Sequence, residues 1–274
     1  MTNDLERKVA DHYGASDLMA RLLAALRAGG ADPDHLTIKN LAPVDEFHVG
    51  GRAATEYAIA KMALTKDLHA LDVGCGIGGT ARYIASTFGC HVTGIDLTPD
   101  YIDAARDLTR RTGLSDRVDF EVASALAMPF PDATFDAGVT LHVAMNIKDR
   151  VGLYREIARV LKPGAPFCIY DVMRGETEGV IFPVPWAETP ETSHLTSPGE
   201  MNSLLDAAGL SVEQIEDRSA FGITFFRERM SPSAGAPPAG LHLLMPNARA
   251  KFENMLANIE QGRVAPVIMI ARRR

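Results

Sequence analysis

The stretch Leu68-His69-Ala70-Leu71-Asp72-Val73-Gly74-Cys75-Gly76-Ile77-Gly78-Gly79-Thr80-Ala81-Arg82, LHALDVGCGIGGTAR, decides the fold. Ala70–Val73 reads as a short buried strand. Glycines 74, 76 and 79 follow in the pattern G-x-G-x-x-G, and a helix begins at Thr80. Without Cβ atoms, Gly74 and Gly76 let a ligand lie against bare backbone. The free N–H groups at the start of the next helix favour a negative group there. The turn is therefore a ligand cradle, and by itself it leaves the ligand open.

The same strand-then-helix alternation continues on the C-terminal side. Strands are expected at Ala70–Val73, His91–Ile95, Val118–Val122, Ala137–Leu141 and Phe167–Asp171. Helices fit between them at Thr80–Phe88, Pro99–Thr112 and Arg150–Leu161. Short, almost wholly apolar strands alternating with helices predict an α/β fold, a parallel sheet covered on both faces. On the N-terminal side, Ala15–Ala28 carries Leu18, Leu22, Ala25 and Leu26 at helical spacing, with Ser16 as N-cap and Gly29-Gly30 as stop. Asp32–Gly51 holds two prolines and reads as irregular, and a helix over Ala53–Leu64 follows. This divides the chain into an N-terminal helical cap over 1–66 and a core over 67–274. After Asp171 the pattern breaks into a segment rich in Pro, Glu and Thr, the length of a lid. Lid insertions are expected at about 172–200 and 221–246. A helix at Pro198–Ala208, a strand at Ser211–Glu216, a helix at Asn247–Gln261 and a last strand at Ala265–Ala271 complete the chain.

Composition narrows the function classes. The 274 residues carry 28 Lys+Arg against 35 Asp+Glu, a formal charge of −7. That acidic balance argues against nucleic acid as partner and against an anionic membrane surface, both of which need clustered cations. Arg272-Arg273-Arg274 reads as a short solvated end. The start, MTNDLERKVADHYG, lacks the apolar stretch of a secretory signal, and no apolar run is long enough for membrane insertion. Cys75, Cys90 and Cys168 lack metal-ligand spacing, so no metal is expected, and the expected setting is the reduced cytoplasm. Oligomeric state is left open.

Two acidic residues flank the turn, and one of them separates the cofactors. Asp96, in VTGIDLT, ends the strand after the turn, where an acid receives ribose hydroxyls; that suits NAD as well as S-adenosylmethionine. Asp72 stands in front of the first glycine, placed to receive an ammonium group and badly placed against a pyrophosphate. The string LDVGCGIGG, with VTGIDLTPDYIDAAR, ALAMPFPDATFDAGVTLHVAMNI and EIARVLKPGAPFCIYD in order behind it and VAPVIMIARR at the end, resembles the class I S-adenosylmethionine-dependent methyltransferases. The resemblance implies a Rossmann-like seven-stranded sheet with the last strand antiparallel, helices on both faces and an insertion after strand five. It implies that Asp72 and Gly74, Cys75, Gly76 and Gly78 hold the methionine part of the cofactor. Asp96 would hold the ribose, Leu97 would lie against the adenine, Ser124, Ala125 and Leu126 would flank its edge, and Leu141 would border the site. Many relatives read G-D-A where this chain reads Ala123-Ser124-Ala125, so a neutral hydroxyl stands in for the carboxylate.

The acceptor side rests on three segments. His142 lies one step past the fourth strand, at the sheet edge that lines ligand crevices in open α/β folds; it reads as a general base or an orienting group, with Met145 close behind. Tyr13 and the segment Phe47-His48-Val49-Gly50-Gly51 resemble the cap of the sarcosine/dimethylglycine and ubiquinone-biosynthesis methyltransferases. That likeness implies that Tyr13, His48, Gly50 and Gly51 line the methyl-transfer region, with Phe47 beside them. Phe182 and Trp186, in the Pro-rich stretch, would stack on the acceptor, while Glu188 reads as solvated. The function expected is methyl transfer to a small-molecule acceptor, an amine nitrogen first, with carbon or hydroxyl close behind. Two alternatives are an NAD-dependent oxidoreductase and a non-catalytic S-adenosylmethionine-binding protein.

Overall fold

In the computed structural model, residues 17–231 and 245–274 are described. Strands β1 (His69–Val73), β2 (His91–Asp96), β3 (Val118–Val122), β4 (Ala137–Leu141), β5 (Pro166–Arg174), β6 (Leu210–Asp217) and β7 (Val264–Arg273) form one sheet, ordered β3-β2-β1-β4-β5-β7-β6. The first five are mutually parallel, and β7 lies antiparallel between β5 and β6. The order reverses beside β1, which pairs with β2 on one side and β4 on the other. A crevice opens past the carboxyl ends of strands at such a reversal.

Alternation along β1 sorts its side chains onto two faces. Ala70 enters a core with Ile84, Val92, Val139 and Tyr170. Leu71 and Val73 enter the opposite core with Leu153, Ile157, Phe167 and Met269. Helices α4 (Gly79–Phe88), α5 (Pro99–Arg111), α6 (Arg150–Val160), α7 (Pro198–Ala207), α8 (Ser219–Met230) and α9 (Ala248–Glu260) cover the sheet. N-terminal to the sheet lie α1 (Leu18–Ala28), α2 (Ile38–Asp45) and α3 (Gly51–Ile59). Leu22, Leu26, Leu41 and Val44 of this cap pack with Ile77 of the glycine turn and Leu108 of α5.

The structure departs from the sequence reading in three places, and two candidates fall outside the described residues. The stretch read as irregular contains α2, because Thr37 and Asn40 cap it reciprocally and offset the proline at position 43. The expected N-cap Ser16 and the catalytic candidate Tyr13 lie outside the described residues, and α1 starts behind Asp17 without a side-chain cap. The first part of the second expected lid, 221–230, is helical; its apolar residues follow no single 3.6-residue stripe, and only Gly222 and Phe226 of it are buried. The terminal arginines are no free tail. Arg272 and Arg273 belong to β7, where Arg272 pairs with Glu213 at 2.7 Å, and Arg274 pairs with Asp206 at 3.0 Å.

Candidate active site

The cradle is fixed by backbone. The amides of Gly74 and Cys75 both donate to the carbonyl of Ile95, at 2.8 and 2.9 Å, closing the turn against the end of β2. Gly74 has φ +73°, and a Cβ there would sit 2.3 Å from the Val143 side chain. Only glycine lets β1 end this close to the segment after β4. At Gly76, φ +54°, an added Cβ would press on the Phe47 ring at 3.3 Å. Asp96 is held from two sides, with Oδ2 accepting from the Gly76 amide at 3.0 Å and Oδ1 from the Thr98 amide at 2.9 Å. Each oxygen keeps a further lone pair for a ligand hydroxyl.

Asp72 lies deeper, 2% exposed, and its Oδ2 has no hydrogen-bond partner among the described residues. Burial, then Glu46 and Asp96, push its carboxyl up to about 7. A buried carboxylate oxygen without a donor behind a glycine turn fits a ligand that brings an ammonium group, and the cradle as a whole fits S-adenosylmethionine.

A cavity of about 670 Å³ opens at these strand ends. Of the expected cofactor residues, Gly74, Gly76, Asp96, Leu97, Ser124, Ala125, Leu126 and Leu141 line it, while Asp72, Cys75 and Gly78 stand outside its wall. Ser124 turns its Oγ to the Leu126 amide at 3.1 Å, bracing the loop that forms this wall. Of the expected acceptor residues, Phe47, His48, His142, Met145 and Trp186 line the cavity. Gly50, Gly51 and Phe182 do not: the two glycines begin α3, with Gly50 as its N-cap, and Phe182 packs against the apolar core.

The two histidines differ in what their rings are free to do. His48 is buried and neutral, its pKa pushed down to about 4 by burial. Thr55 gives its hydroxyl proton to Glu46 at 2.8 Å, so the 2.9 Å contact between Thr55 and His48 makes Nε2 of His48 the donor. That nitrogen is committed to the cap. His142 takes φ +55° at the end of β4, with its amide bonded to the Tyr170 carbonyl at 2.7 Å. Its ring lies 4.8 Å from that of Tyr170 and 5.8 Å from that of His48. Burial, with the His48 ring adding to it, holds its pKa well below the usual value, and its buried Nε2 has no partner among the described residues. This is a neutral imidazole with a nitrogen to spare at the cavity wall.

Under the cradle sits a charged cluster that sequence reasoning missed. Arg82, wholly buried, donates to Asp45 at 2.6 Å, to the Ile77 carbonyl at 2.7 Å and to Thr109 at 3.0 Å, while Arg52 pairs with Glu46 at 2.8 Å. It ties α2 and α3 to the glycine turn. The far wall was also missed: Tyr101, Phe225, Phe226, Lys251, Phe252 and Met255 border the cavity. Helix α8 has no clean apolar period, and α9 reads as an ordinary amphipathic helix, so neither sequence flags a wall. Trp186 both lines the cavity and anchors its loop, since its indole donates to Ser193 at 3.0 Å and its carbonyl accepts from Asn146 at 3.0 Å. Asn146 thus holds the loop, and Asp149 is the residue that caps α6.

Residues 71–169 match the methyltransferase-domain family. Over 250 residues the chain is 29% identical to methyltransferase GfsG of Streptomyces halstedii, across 90% of this chain and 85% of that protein. It spans a quarter to a half of the length of the further curated relatives, among them sterol and phosphoethanolamine methyltransferases. Among solved structures it is similar to the [4+2]-cyclase SpnF, with TM-score 0.68 and 25% identity over 98% of this chain and 96% of that one. Geranyl diphosphate C-methyltransferase from Streptomyces coelicolor A3(2) shares the fold, with TM-score 0.74 and 20% identity over 99% and 98% of the two chains. The family match begins within β1 and runs through the cradle to β5, and over these residues the chain carries the methyltransferase domain of an S-adenosylmethionine-dependent methyltransferase.

Proposed function

We propose that this enzyme methylates a proton-bearing nucleophile, a hydroxyl ahead of an amine, on a small and largely apolar molecule, with His142 receiving the proton. The observation that carries this reading is that His142 lines the cavity and its buried Nε2 has no partner among the described residues. Bound in the cradle, S-adenosylmethionine supplies a methyl already activated by its sulfonium. What remains for the chain is alignment, exclusion of water and care of the proton. Asp72 would receive the cofactor's ammonium, and Gly74, Gly76 and Asp96 would hold its amino-acid and ribose parts. Leu97 and the Ser124–Leu126 loop would enclose the adenine. The Tyr170 carbonyl fixes the His142 backbone, and Phe47, Trp186 and Phe226 keep the surroundings dry. A hydroxyl must give up its proton as its oxygen is methylated, whereas a neutral amine can attack first and lose its proton afterwards; an imidazole that becomes imidazolium as the sulfonium charge is discharged would therefore serve the hydroxyl, which reverses the preference for an amine drawn from the sequence.

The names of the relatives include C- and N-methyltransferases, so they do not choose the nucleophile. The test is a mass-resolved assay with methyl-labelled S-adenosylmethionine and a pool of apolar alcohols and amines. Labelled methyl ethers are expected, and labelled amines alone would overturn the hydroxyl assignment. A second reading, a cofactor-holding catalyst that transfers no methyl group, is favoured by the likeness to the cyclase. Its mark would be a product with no added label.

A further inference from the structure

The far wall of the cavity holds a group that methyl transfer leaves unused. Lys251, on α9, is wholly buried and lines the cavity among Phe226, Phe252, Met255 and Trp186. Buried lysines persist where the ammonium is paired and its hydrogens are satisfied. Here the pairing is incomplete. Glu188 Oε1 stands 2.5 Å from Nζ, outside hydrogen-bond geometry, and Nζ makes no hydrogen bond to any described residue. Glu188 is half exposed, so it neutralises the lysine from the solvent side. The loop that carries it is fastened to α9 elsewhere. Asn258 exchanges two hydrogen bonds with Ile181, at 2.8 and 2.9 Å, and Asn254 donates to the Pro183 carbonyl at 2.9 Å. The ion pair is therefore not needed as the loop's fastening.

We propose that Lys251 is an acceptor-binding residue: its ammonium donors take a neutral oxygen, a carbonyl or hydroxyl, on the acceptor at the end remote from the methylated atom. The inference rests on the methyltransferase reading of the cavity and narrows its substrate class. An ammonium has three donors and no acceptor. With Glu188 already balancing its charge, a second anion would leave this apolar wall net negative, whereas a neutral oxygen satisfies the spare donors at no cost in charge. The acceptor is then an apolar body with oxygen functions at both ends, one methylated and one read by Lys251.

The chain has a single tryptophan, and it lines this wall, so its fluorescence reports binding without catalysis. The probes are dodecan-1-ol, methyl 12-hydroxydodecanoate and 12-hydroxydodecanoic acid, titrated into the full chain saturated with S-adenosylhomocysteine. The ester is expected to bind about tenfold or more tightly than the alcohol, as hydrogen bonds to a charged donor do, and more tightly than the acid. Lys251→Met should erase the ester's advantage. Glu188→Gln, which keeps the lysine, should preserve it and bring the acid level with or above the ester. Equal binding of ester and alcohol by the wild type, no response to any probe, or an advantage that survives Lys251→Met would each overturn the assignment. Preference for the acid in the wild type would overturn it in favour of an anion site. Saturation with S-adenosylhomocysteine is measured first by calorimetry, so a failure of the methyltransferase reading appears there and not in the probe series.

Discussion

At the scale of single residues, His142 and Asp72 are each defined by what they lack. His142 occupies a left-handed backbone position that asparagine also tolerates. His142→Asn therefore removes the proton acceptor with little strain of its own. We expect kcat to fall about 10²–10⁴-fold while S-adenosylhomocysteine affinity and Tm stay near wild type; stopped-time methyl-transfer assays and calorimetry check both. Asp72 has a folded pKa of about 7 against an ordinary 3.8, raised by burial. In the cofactor-free protein it holds a proton at acid pH, and the stability it contributes is fully present below about 4 and lost as pH rises through about 7. An incoming ammonium holds the carboxylate ionised, so binding expels that proton. Affinity for S-adenosylmethionine should then rise about tenfold per pH unit at pH values well below 7 and level off near it. Calorimetry in buffers of different ionisation enthalpy reads the proton directly, and Asp72→Asn should abolish the slope.

At the scale of elements, the cofactor turn depends on α2. Arg82 opens α4 with its guanidinium in a protein interior, and Asp45, the last residue of α2, is its counter-charge. Asp45→Ala would leave that cation buried and unpaired, a loss of about 3–5 kcal/mol. For a chain of this size, Tm should fall by roughly 5–10 °C, read by thermal melt. The pairing was not legible in the sequence: Asp45 and Arg82 lie far apart, each sits in an unremarkable local pattern, and Pro43 disguises the helix that presents the acid. The glycine turn was legible, because its backbone demands are local and only glycine meets them.

At the scale of the molecule, two cores lie on either side of one sheet, and a crevice at the strand ends is bordered by the cap, the 172–197 loop and α8–α9. A ligand that bridges the cradle and these walls binds only the folded chain. S-adenosylhomocysteine at a hundred times its Kd should therefore add about 2.7 kcal/mol, raising Tm by roughly 5 °C. NADH should leave Tm unchanged; a larger shift with NADH would return the turn to the dinucleotide reading.

The sequence by itself determined the alternation of strands and helices, the glycine turn, and Asp72 and Asp96 flanking it, because each depends on periodicity or on backbone chemistry within a few residues. It also placed His142 at a strand end. What it left open is what neighbours in space decide. The hydrogen-bond chain from Glu46 through Thr55 commits one nitrogen of His48, while the described surroundings of His142 leave its Nε2 unpartnered. Glu188, solvated by any local reading, lies against Lys251 because the loop after β5 folds onto α9. Burial and pairing are properties of the packed chain, and they, more than residue type, decide which of these groups has a hydrogen bond left to give a ligand.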